Sequence, residues 1–343
     1  MARTKVTIQD IADKLGLSKF SVSRALSGQR GVGEATRNLV LCTAQAMGYP
    51  LTQDASAATS QVLFIRDEID TASNEVWLNV MHGAEREGEK LGLAIVPRQA
   101  RYLQDTDHIE DSVVGLILAV PHPSDWATLA MGTGLPVVCA GHVSPMQSID
   151  QVVGADWESG YAVAGMLAEL GHVDMAYVHR DITPLRRSER FRGFRDGALA
   201  MTGAMIDDVA MDARDGFRDA FFTYLRSGRA PTALFCAHDG LAASVIFELV
   251  GLGIRIPEDI SVVGFNDFAL ASEMSPPLTT VRTPQVEMGA EMVRRIADRL
   301  FDAEARERPP LRVALLSEIV KRESIGPAAE KGWLSRTLKL AEQ

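Results

Sequence analysis

The first fifty residues contain three short segments whose apolar residues recur every three or four positions, which is the spacing of a helix with one buried face. These apolar residues are Ile8, Ile11, Ala12 and Leu15 in the first segment, Val22, Ala25 and Leu26 in the second, and Val40, Ala44 and Met47 in the third. Thr7 precedes the first segment as a candidate helix cap, and Gly16 permits the turn that ends it. Because two short helices cannot bury a core by themselves, the third must cover them. The pattern predicts a three-helix head.

A different pattern begins near residue 61, where short apolar runs alternate with amphipathic helical stretches. The runs are VLFI from 62, LAIV from 93, VVGLILAV from 113, PVVCA from 136, MAYVH from 175, TALFCA from 232 and SVVGF from 261. Strands that are buried on both faces and separated by helices predict parallel α/β sheets. At 343 residues the chain is too long for one ordinary domain. We therefore expect a head at 1–60, a two-lobed body at 61–327 and a C-terminal tail at 328–343.

The first two predicted helices, with a tight turn between them, form a helix-turn-helix pattern, in which the second helix lies in the major groove of DNA. Arg24 can donate two parallel hydrogen bonds to guanine, and Phe20 can pack on a thymine methyl group. Short hydroxyl side chains suit phosphate oxygens. The residues predicted to contact DNA are Thr7, Ser18, Lys19, Phe20, Ser23, Arg24, Thr36 and Arg37. The alternative is an ordinary three-helix domain that carries a few surface charges.

The distribution of charge favours a protein that meets DNA with one end. The whole chain has a formal net charge of −10. Residues 1–60 hold seven basic against four acidic side chains, so the head is about +3 and the remainder about −13. A cationic head on an anionic body suits contact with phosphate through the head alone.

Two long stretches of the head and several of the body carry a family resemblance. The head reads VTIQDIADKLGLSKFSVSRALSG and then VGEATRNLVLCTAQAMGY, and the body includes RFRGFRDGAL from 190 and IPEDISVVGFND from 256. Together they resemble the lactose/galactose-repressor family of bacterial transcription regulators over nearly the whole chain. The resemblance implies an all-α helix-turn-helix head and an α/β two-lobed, periplasmic-binding-protein-like body with parallel sheets. It also implies DNA binding that a small-molecule effector controls.

Polar side chains at the predicted strand ends are the candidates for effector binding, because ligands of parallel sheets bind beyond the carboxyl ends of the strands, here in the cleft between the lobes. The candidates are Asn74, Trp77, Asp156, Arg190, His238, Asp239 and Asn266. In the family, positions that match Asp156, Arg190 and Asn266 contact the effector. Many sugar-binding members have Asp where this chain has Asn266, so a hydroxyl-rich ligand is expected but its identity is not inherited. The alternative for these residues is helix capping or a solvated charged face.

The expected partners are a palindromic double-stranded operator, a carbohydrate effector and a second copy of the chain, because one helix-turn-helix reads only a few base pairs. Residues 112–142 and the helix at 285–299 are candidate dimer faces, although the apolar side of that helix could equally pack inside its own lobe. No heptad pattern in the last residues supports a tetramer.

The segment GYPLTQDASAATSQ between head and body departs from the family. Family members usually place a Leu in a short hinge helix that wedges into the minor groove, whereas this chain has Ala58 there. Asp54 would also repel phosphate. We expect weaker bending of the operator or a hinge that stays disordered, and a strong central kink in a circular-permutation gel assay would contradict this.

Motifs of enzymes and metal sites are missing from the sequence. GLGIRIPE lacks the third glycine of a dinucleotide fingerprint, and GxxxxGK[ST], GxSxG and HExxH do not occur. We therefore expect no catalysis, cofactor or metal. Cys42, Cys139 and Cys236 lie far apart in apolar runs, which predicts buried thiols in a reducing compartment. With no apolar signal region or bilayer-spanning stretch, a cytoplasmic protein without membrane contact is expected. The alternative function is a sugar-binding or sugar-modifying protein whose head is a docking module.

Overall fold

The structure is a computed structural model that describes residues 6–26, 32–49, 60–66, 74–104, 109–119, 124–140, 148–180, 185–211, 216–330 and 332–334. The helices are α1 (Ile8–Leu15), α2 (Lys19–Leu26), α3 (Glu34–Ala46), α4 (Asn74–Leu91), α5 (Ser124–Gly132), α6 (Asp156–Glu169), α7 (Leu185–Thr202), α8 (Phe217–Arg226), α9 (Asp239–Gly251), α10 (Ala269–Glu273), α11 (Gln285–Phe301) and α12 (Ala303–Glu307). The strands are β1 (Gln61–Arg66), β2 (Ala94–Gln99), β3 (Val113–Leu118), β4 (Val137–Ala140), β5 (Asp150–Gly154), β6 (Met175–His179), β7 (Asp207–Ala210), β8 (Ala233–Cys236), β9 (Ser261–Val263), β10 (Thr280–Arg282), β11 (Arg312–Leu315) and β12 (Glu318–Val320).

The head is a three-helix domain with its own core. The three helices each contribute a fully buried residue to one hydrophobic cluster: Ile11, Val22 and Val40. The Thr7 hydroxyl accepts from the Asp10 backbone N–H, and the Asp10 carboxylate accepts from the Thr7 N–H at 2.7 Å, which closes a capping box at the start of α1. Gly16 ends α1 with φ at +64°. The predicted helical head is confirmed.

The chain divides into two compact units. The first comprises residues 1–153 and 285–314, and the second comprises residues 154–284 and 315–343. The chain therefore passes between the units three times, so neither unit of the body is continuous in sequence.

Unit 1 is built on a six-stranded sheet in the order β11-β5-β4-β3-β1-β2, in which β2, β1, β3, β4 and β5 pair in parallel. Helix α11 packs on α4 so closely that a side chain at Gly83 or Gly289 would collide with the facing backbone. Met292 and Ile296 of α11 are fully buried. The apolar side of this helix thus packs inside its own unit, which was the alternative to a dimer face at 285–299.

Unit 2 contains a four-stranded parallel sheet in the order β7-β6-β8-β9 and an antiparallel pair, β10 with β12. Its core joins aromatic side chains of the sheet and of the surrounding helices, among them Tyr177, Phe194 and Phe235. Trp333, from the segment that the sequence assigns to the tail, is also buried there and stacks on Phe221. The prediction of parallel α/β sheets in the body is confirmed.

The three cysteines are free and buried, as their apolar surroundings predicted. Burial raises the pKa of the Cys139 thiol to about 12. The hinge residues 50–59, with Asp54 and Ala58, lie outside the described residues, so the expectation of weak operator bending stays a prediction. Within the described part of the chain, no helix is long and apolar enough to cross a membrane.

Candidate DNA-binding face and effector site

Helix α2 presents one uncovered face. Lys19, Phe20 and Ser23 are exposed on it, and Phe20 keeps 69% of its surface accessible. The guanidinium carbon of Arg24 lies over the Phe20 ring, 5.3 Å from its centre, which is a cation–π arrangement. The opposite side of α2 buries Val22 and Ala25 in the head core. An exposed aromatic ring beside a guanidinium group is suited to base edges and thymine methyl groups.

The remaining predicted DNA contacts lie around this helix. The Ser18 hydroxyl is 2.8 Å from the Ser21 hydroxyl and accepts from the Ser21 N–H at the start of α2. Thr7 completes the capping box of α1, and its hydrogen bonds hold the pKa of the Asp10 carboxyl below its usual value. Thr36 and Arg37 lie on α3, where Thr36 lines a cavity next to the sheet of unit 1. Their contacts with DNA stay predictions.

Close packing of α6 on α7 positions the charged pair of unit 2. A side chain at Gly160 would collide with the backbone of Arg190, and one at Gly193 would collide with the backbone of Trp157. The two glycines therefore allow the helix backbones to touch. This contact brings Arg190 to Asp156, the first residue of α6. The prediction that Arg190 follows a strand was wrong, because it lies inside α7.

Asp156 and Arg190 form a buried ion pair. Arg190 donates to Asp156 Oδ1 from Nη2 at 2.5 Å and from Nε at 3.0 Å, and both side chains are 8% exposed. Among the residues that the structure describes, none donates to the second oxygen, Asp156 Oδ2. The pair thus leaves a carboxylate oxygen able to accept a hydrogen bond from a ligand.

Arg190 also joins the carboxyl ends of two strands. Its Nη1 donates to the carbonyl oxygen of Ala237, directly after β8, and its guanidinium carbon lies 3.1 Å from the centre of the Phe265 ring, after β9. A ring face and a fixed carboxylate hold the guanidinium plane in one orientation. Three of its five N–H groups are engaged in these bonds, which leaves donors for a ligand.

The loop after β9 adopts an unusual backbone conformation. Asn266 has φ at +103° and Asp267 at +55°, both in the left-handed half of backbone space that favours glycine. Asp267 accepts from Arg282 Nε at 2.8 Å and from Arg322 Nη2 at 2.7 Å. The Asn266 N–H donates to the Val281 carbonyl. These bonds hold Asn266, half-buried, at the carboxyl edge of the sheet.

His238 and Asp239 start α9 but differ in their surroundings. His238 caps the helix, since its Nδ1 accepts from the Leu241 N–H at 3.1 Å. Because Nδ1 accepts, Nε2 carries the proton in the neutral ring. Asp239 is fully buried, and its two oxygens accept from the Thr280 hydroxyl at 2.5 Å and the Phe268 N–H at 2.7 Å. Burial raises the pKa of Asp239 to about 7. Direct contact between Asp239 and a ligand is therefore not part of the site that we propose.

The structure brings Asp156, Arg190, His238 and Asn266 to one edge of unit 2. Asn74 and Trp77 lie on the first turn of α4 in unit 1 and are half-buried. Their effector contact stays a prediction.

Sequence reasoning missed three residues that shape this edge. Phe265 stacks on Arg190, and Arg282 and Arg322 hold Asp267. The sequence gives no signal that Arg282 and Arg322 converge on one carboxylate, since they lie on separate segments of the chain. Within the described residues, no group of three or more His, Cys, Asp or Glu side chains could hold a metal ion.

A helix-turn-helix head attached to parallel α/β units defines a class of DNA-binding transcription regulators. Two family models match in that order. The model described as bacterial regulatory proteins of the lacI family matches residues 7–50, and the periplasmic binding protein-like domain matches residues 164–325. The head is thus similar to the lacI family of bacterial regulatory proteins, as the sequence resemblance indicated, and the second model matches a large part of the body.

Curated proteins are also similar to this chain over nearly their whole length. The chain is 28% identical over 342 residues to the HTH-type transcriptional regulator DegA of Bacillus subtilis, covering 94% of this chain and 99% of DegA. It is 27% identical over 336 residues to the HTH-type transcriptional repressor PurR of Aliivibrio fischeri, covering 93% and 98%. The fold is similar to a lac repressor dimer bound to operator, with a TM-score of 0.67 at 20% identity over 94% of this chain and all of that one. These relatives are transcriptional regulators and not enzymes.

Proposed function

We propose that this protein is a transcriptional repressor that binds a palindromic operator as a homodimer and responds to a small carbohydrate. The observation that carries the proposal is the buried Asp156–Arg190 pair at the carboxyl edge of the unit 2 sheet, where one carboxylate oxygen and two guanidinium N–H groups face no protein partner that the structure describes. Such groups match the alternating donors and acceptors of sugar hydroxyls. His238 and Asn266 add further polar groups at the same edge.

Similarity to known proteins supports a carbohydrate as the effector and repression as the effect on transcription. Among the solved structures similar to this chain, one is a transcriptional regulator in complex with cellobiose and another is a LacI family transcriptional regulator with bound ribose, and PurR is a repressor by name. In this proposal the effector binds one conformation of the body better than the other, and its differential affinity changes the affinity for the operator. An inducer weakens operator binding and a corepressor strengthens it.

The test combines DNA selection with a ligand screen. Sequences enriched from random DNA by the full-length protein should be palindromes with half-site centres about 10 bp apart or a multiple. A thermal-shift screen with cellobiose, ribose, sugar acids and sugar phosphates should give a hit, because a ligand at a hundredfold above its Kd adds about 2.7 kcal/mol of stability. Operator binding is then measured again with the ligand found in the screen, which determines whether this ligand is an inducer or a corepressor.

A matched pair of variants assigns the site. Arg190→Ala should abolish the thermal shift while operator affinity stays near normal. Arg192→Ala, which removes a guanidinium that is 56% exposed two residues away on the same helix, should leave both unchanged. Loss of operator binding together with the thermal shift in Arg190→Ala would mean that Arg190 is structural. Enrichment of no palindrome would contradict the homodimeric repressor.

A further inference from the structure

Unit 1 contains a cavity of about 820 Å³ at the edge of its sheet opposite to the strand carboxyl ends. Val113, Val137 and Asp150, which are the first residues of β3, β4 and β5, line it. Because these strands are parallel, their amino ends meet at one edge. Thr36 and Leu39 of α3 line the cavity as well, so the DNA-binding head forms part of its wall.

The volume and the lining suit a small molecule with an apolar body. Ligand sites usually measure about 300 to 1,000 Å³ and are mostly apolar with a few polar groups. More than half of the residues around this cavity are apolar, including Leu39, Val114, Leu135 and Leu300. A cavity of this size holds one or two rings or a short alkyl chain.

The charged residues that line the cavity favour an anion. Asp150 and Arg299 neutralise each other through two hydrogen bonds of 2.7 and 2.9 Å. This leaves Arg306 and Arg308 against the single carboxylate of Asp111 among the charged lining residues. Arg306 is held in place by the carbonyl oxygens of Arg299 and Leu300 at the end of α11.

Arg308 is available for a ligand at small cost. It is 58% exposed, and its pair with Glu304, at 3.2 Å, joins two exposed side chains. Exposed pairs of this kind contribute little. Two guanidinium groups that line one cavity can bind a carboxylate or sulfonate through charge-assisted hydrogen bonds.

We propose that this cavity is a second ligand site, separate from the carbohydrate site, for a small organic anion with an apolar body, such as an aryl or alkyl carboxylate. The anion lies at Arg306 and Arg308, and the apolar body lies against the amino ends of the strands and α3. A ligand bound there touches both the head and the sheet, so it stabilises this placement of the head.

The test uses 1-anilinonaphthalene-8-sulfonate, an apolar anion whose fluorescence rises and shifts to the blue in apolar surroundings, with the full-length protein. The expected result is saturable binding of one molecule per chain, measured by fluorescence and equilibrium dialysis. Arg308→Ala should weaken this binding by about tenfold, as expected for loss of a charge-assisted hydrogen bond. Arg192→Ala is the matched control, because Arg192 is 56% exposed and also pairs with a glutamate on the next helical turn; it should leave binding unchanged.

A second pair of variants tests the apolar body. Met131→Trp, at a lining position that is 36% exposed, should fill the cavity and abolish binding of the probe and of its neutral analogue N-phenyl-1-naphthylamine. Met201→Trp, at a position of unit 2 that is 46% exposed, should not. Arg308→Ala should leave binding of the neutral analogue unchanged.

Three results would overturn the proposal. They are a failure of the anion to saturate at one site, equal effects of Arg308→Ala and Arg192→Ala, and probe binding that appears only when sedimentation shows the chain to be monomeric. The last would mean that a second copy of the chain covers the cavity. If Met131→Trp fails to fold, Arg308→Ala with its control still decides the outcome, since Arg308 is exposed.

Discussion

Strand β5 has a buried aspartate near each of its ends, and the two differ in how many of their carboxylate oxygens accept hydrogen bonds from the described residues. Asp150, the first residue of the strand, accepts from Arg299 with both oxygens and from the Leu311 N–H, while Arg299 also donates to the carbonyl oxygens of Arg308 and Pro309. Asp156, just beyond the other end, uses one oxygen for Arg190. The same pair of residue types therefore completes a structural network at the amino end and leaves donors and acceptors for a ligand at the carboxyl end.

Asp239 is a further buried carboxylate, and no cation among the described residues lies beside it. Asp239 is held by a hydroxyl and an amide N–H, and burial raises its pKa to about 7. Without an opposite charge, desolvation dominates and favours the protonated form. Asp150 is thus a structural group, Asp156 is a proposed ligand-binding group, and Asp239 is a buried carboxyl group with a raised pKa.

The largest expected effect comes from removing one arginine of each pair. Arg299→Met and Arg190→Met should each lower the free energy of unfolding by about 3 to 5 kcal/mol, because each leaves a buried carboxylate without its partner. Urea denaturation measures this. Only Arg190→Met should lose the thermal shift with the ligand found in the screen. Loss of the shift in Arg299→Met as well would contradict the proposal that only the Asp156–Arg190 pair binds the ligand.

An exposed arginine of unit 2 is the control for stability. Arg192 is 56% exposed and pairs with Glu189, which is 37% exposed. Arg192→Met should cost less than about 1 kcal/mol, since exposed ion pairs contribute little.

The next effect is a dependence of stability on pH. The folded pKa of Asp239, about 7, lies above the ordinary value of 3.8, so the folded state binds more protons than the unfolded state between these values. The stability that this group contributes is fully present below about pH 4 and is lost as the pH rises to about 7, by about 1.4 kcal/mol for each unit of the shift. In Asp239→Asn this contribution should disappear from the difference between unfolding free energies at pH 5 and pH 8. An unchanged difference would show that Asp239 is ionised throughout.

A smaller effect is expected at the head, where an arginine stacks on an exposed ring instead of pairing with a buried carboxylate. Arg24→Ala should lose about 1 to 3 kcal/mol of discrimination at one base pair of the selected operator. Fluorescence anisotropy with single-base variants of that operator measures it. If binding to operator and to random DNA falls equally, Arg24 contacts phosphate instead.

The smallest effect on stability is expected at Asn266. Asn266→Asp should change the free energy of unfolding by less than about 0.5 kcal/mol, because the residue is half-buried and its backbone is held by its neighbours. It should change which ligands give a thermal shift, since a carboxylate accepts but does not donate. The same ranking of ligands in both proteins would remove Asn266 from the proposed site.

The amino-acid sequence was enough to predict the three-helix head and the parallel sheets, because both depend on local spacing: three to four residues between buried positions in helices, and short apolar runs for buried strands. It also indicated Asp156, His238 and Asn266 at strand or helix ends, whereas Arg190 lies inside α7, and the binding role of all four stays a prediction. Which side chains meet depends on the tertiary structure. Arg190 stacks on Phe265, Asp267 receives Arg282 and Arg322, and Asp239 lies fully enclosed. These contacts join residues far apart in sequence, and burial and hydrogen-bond satisfaction depend on such neighbours, so no local pattern could separate a structural aspartate from one that is free to bind.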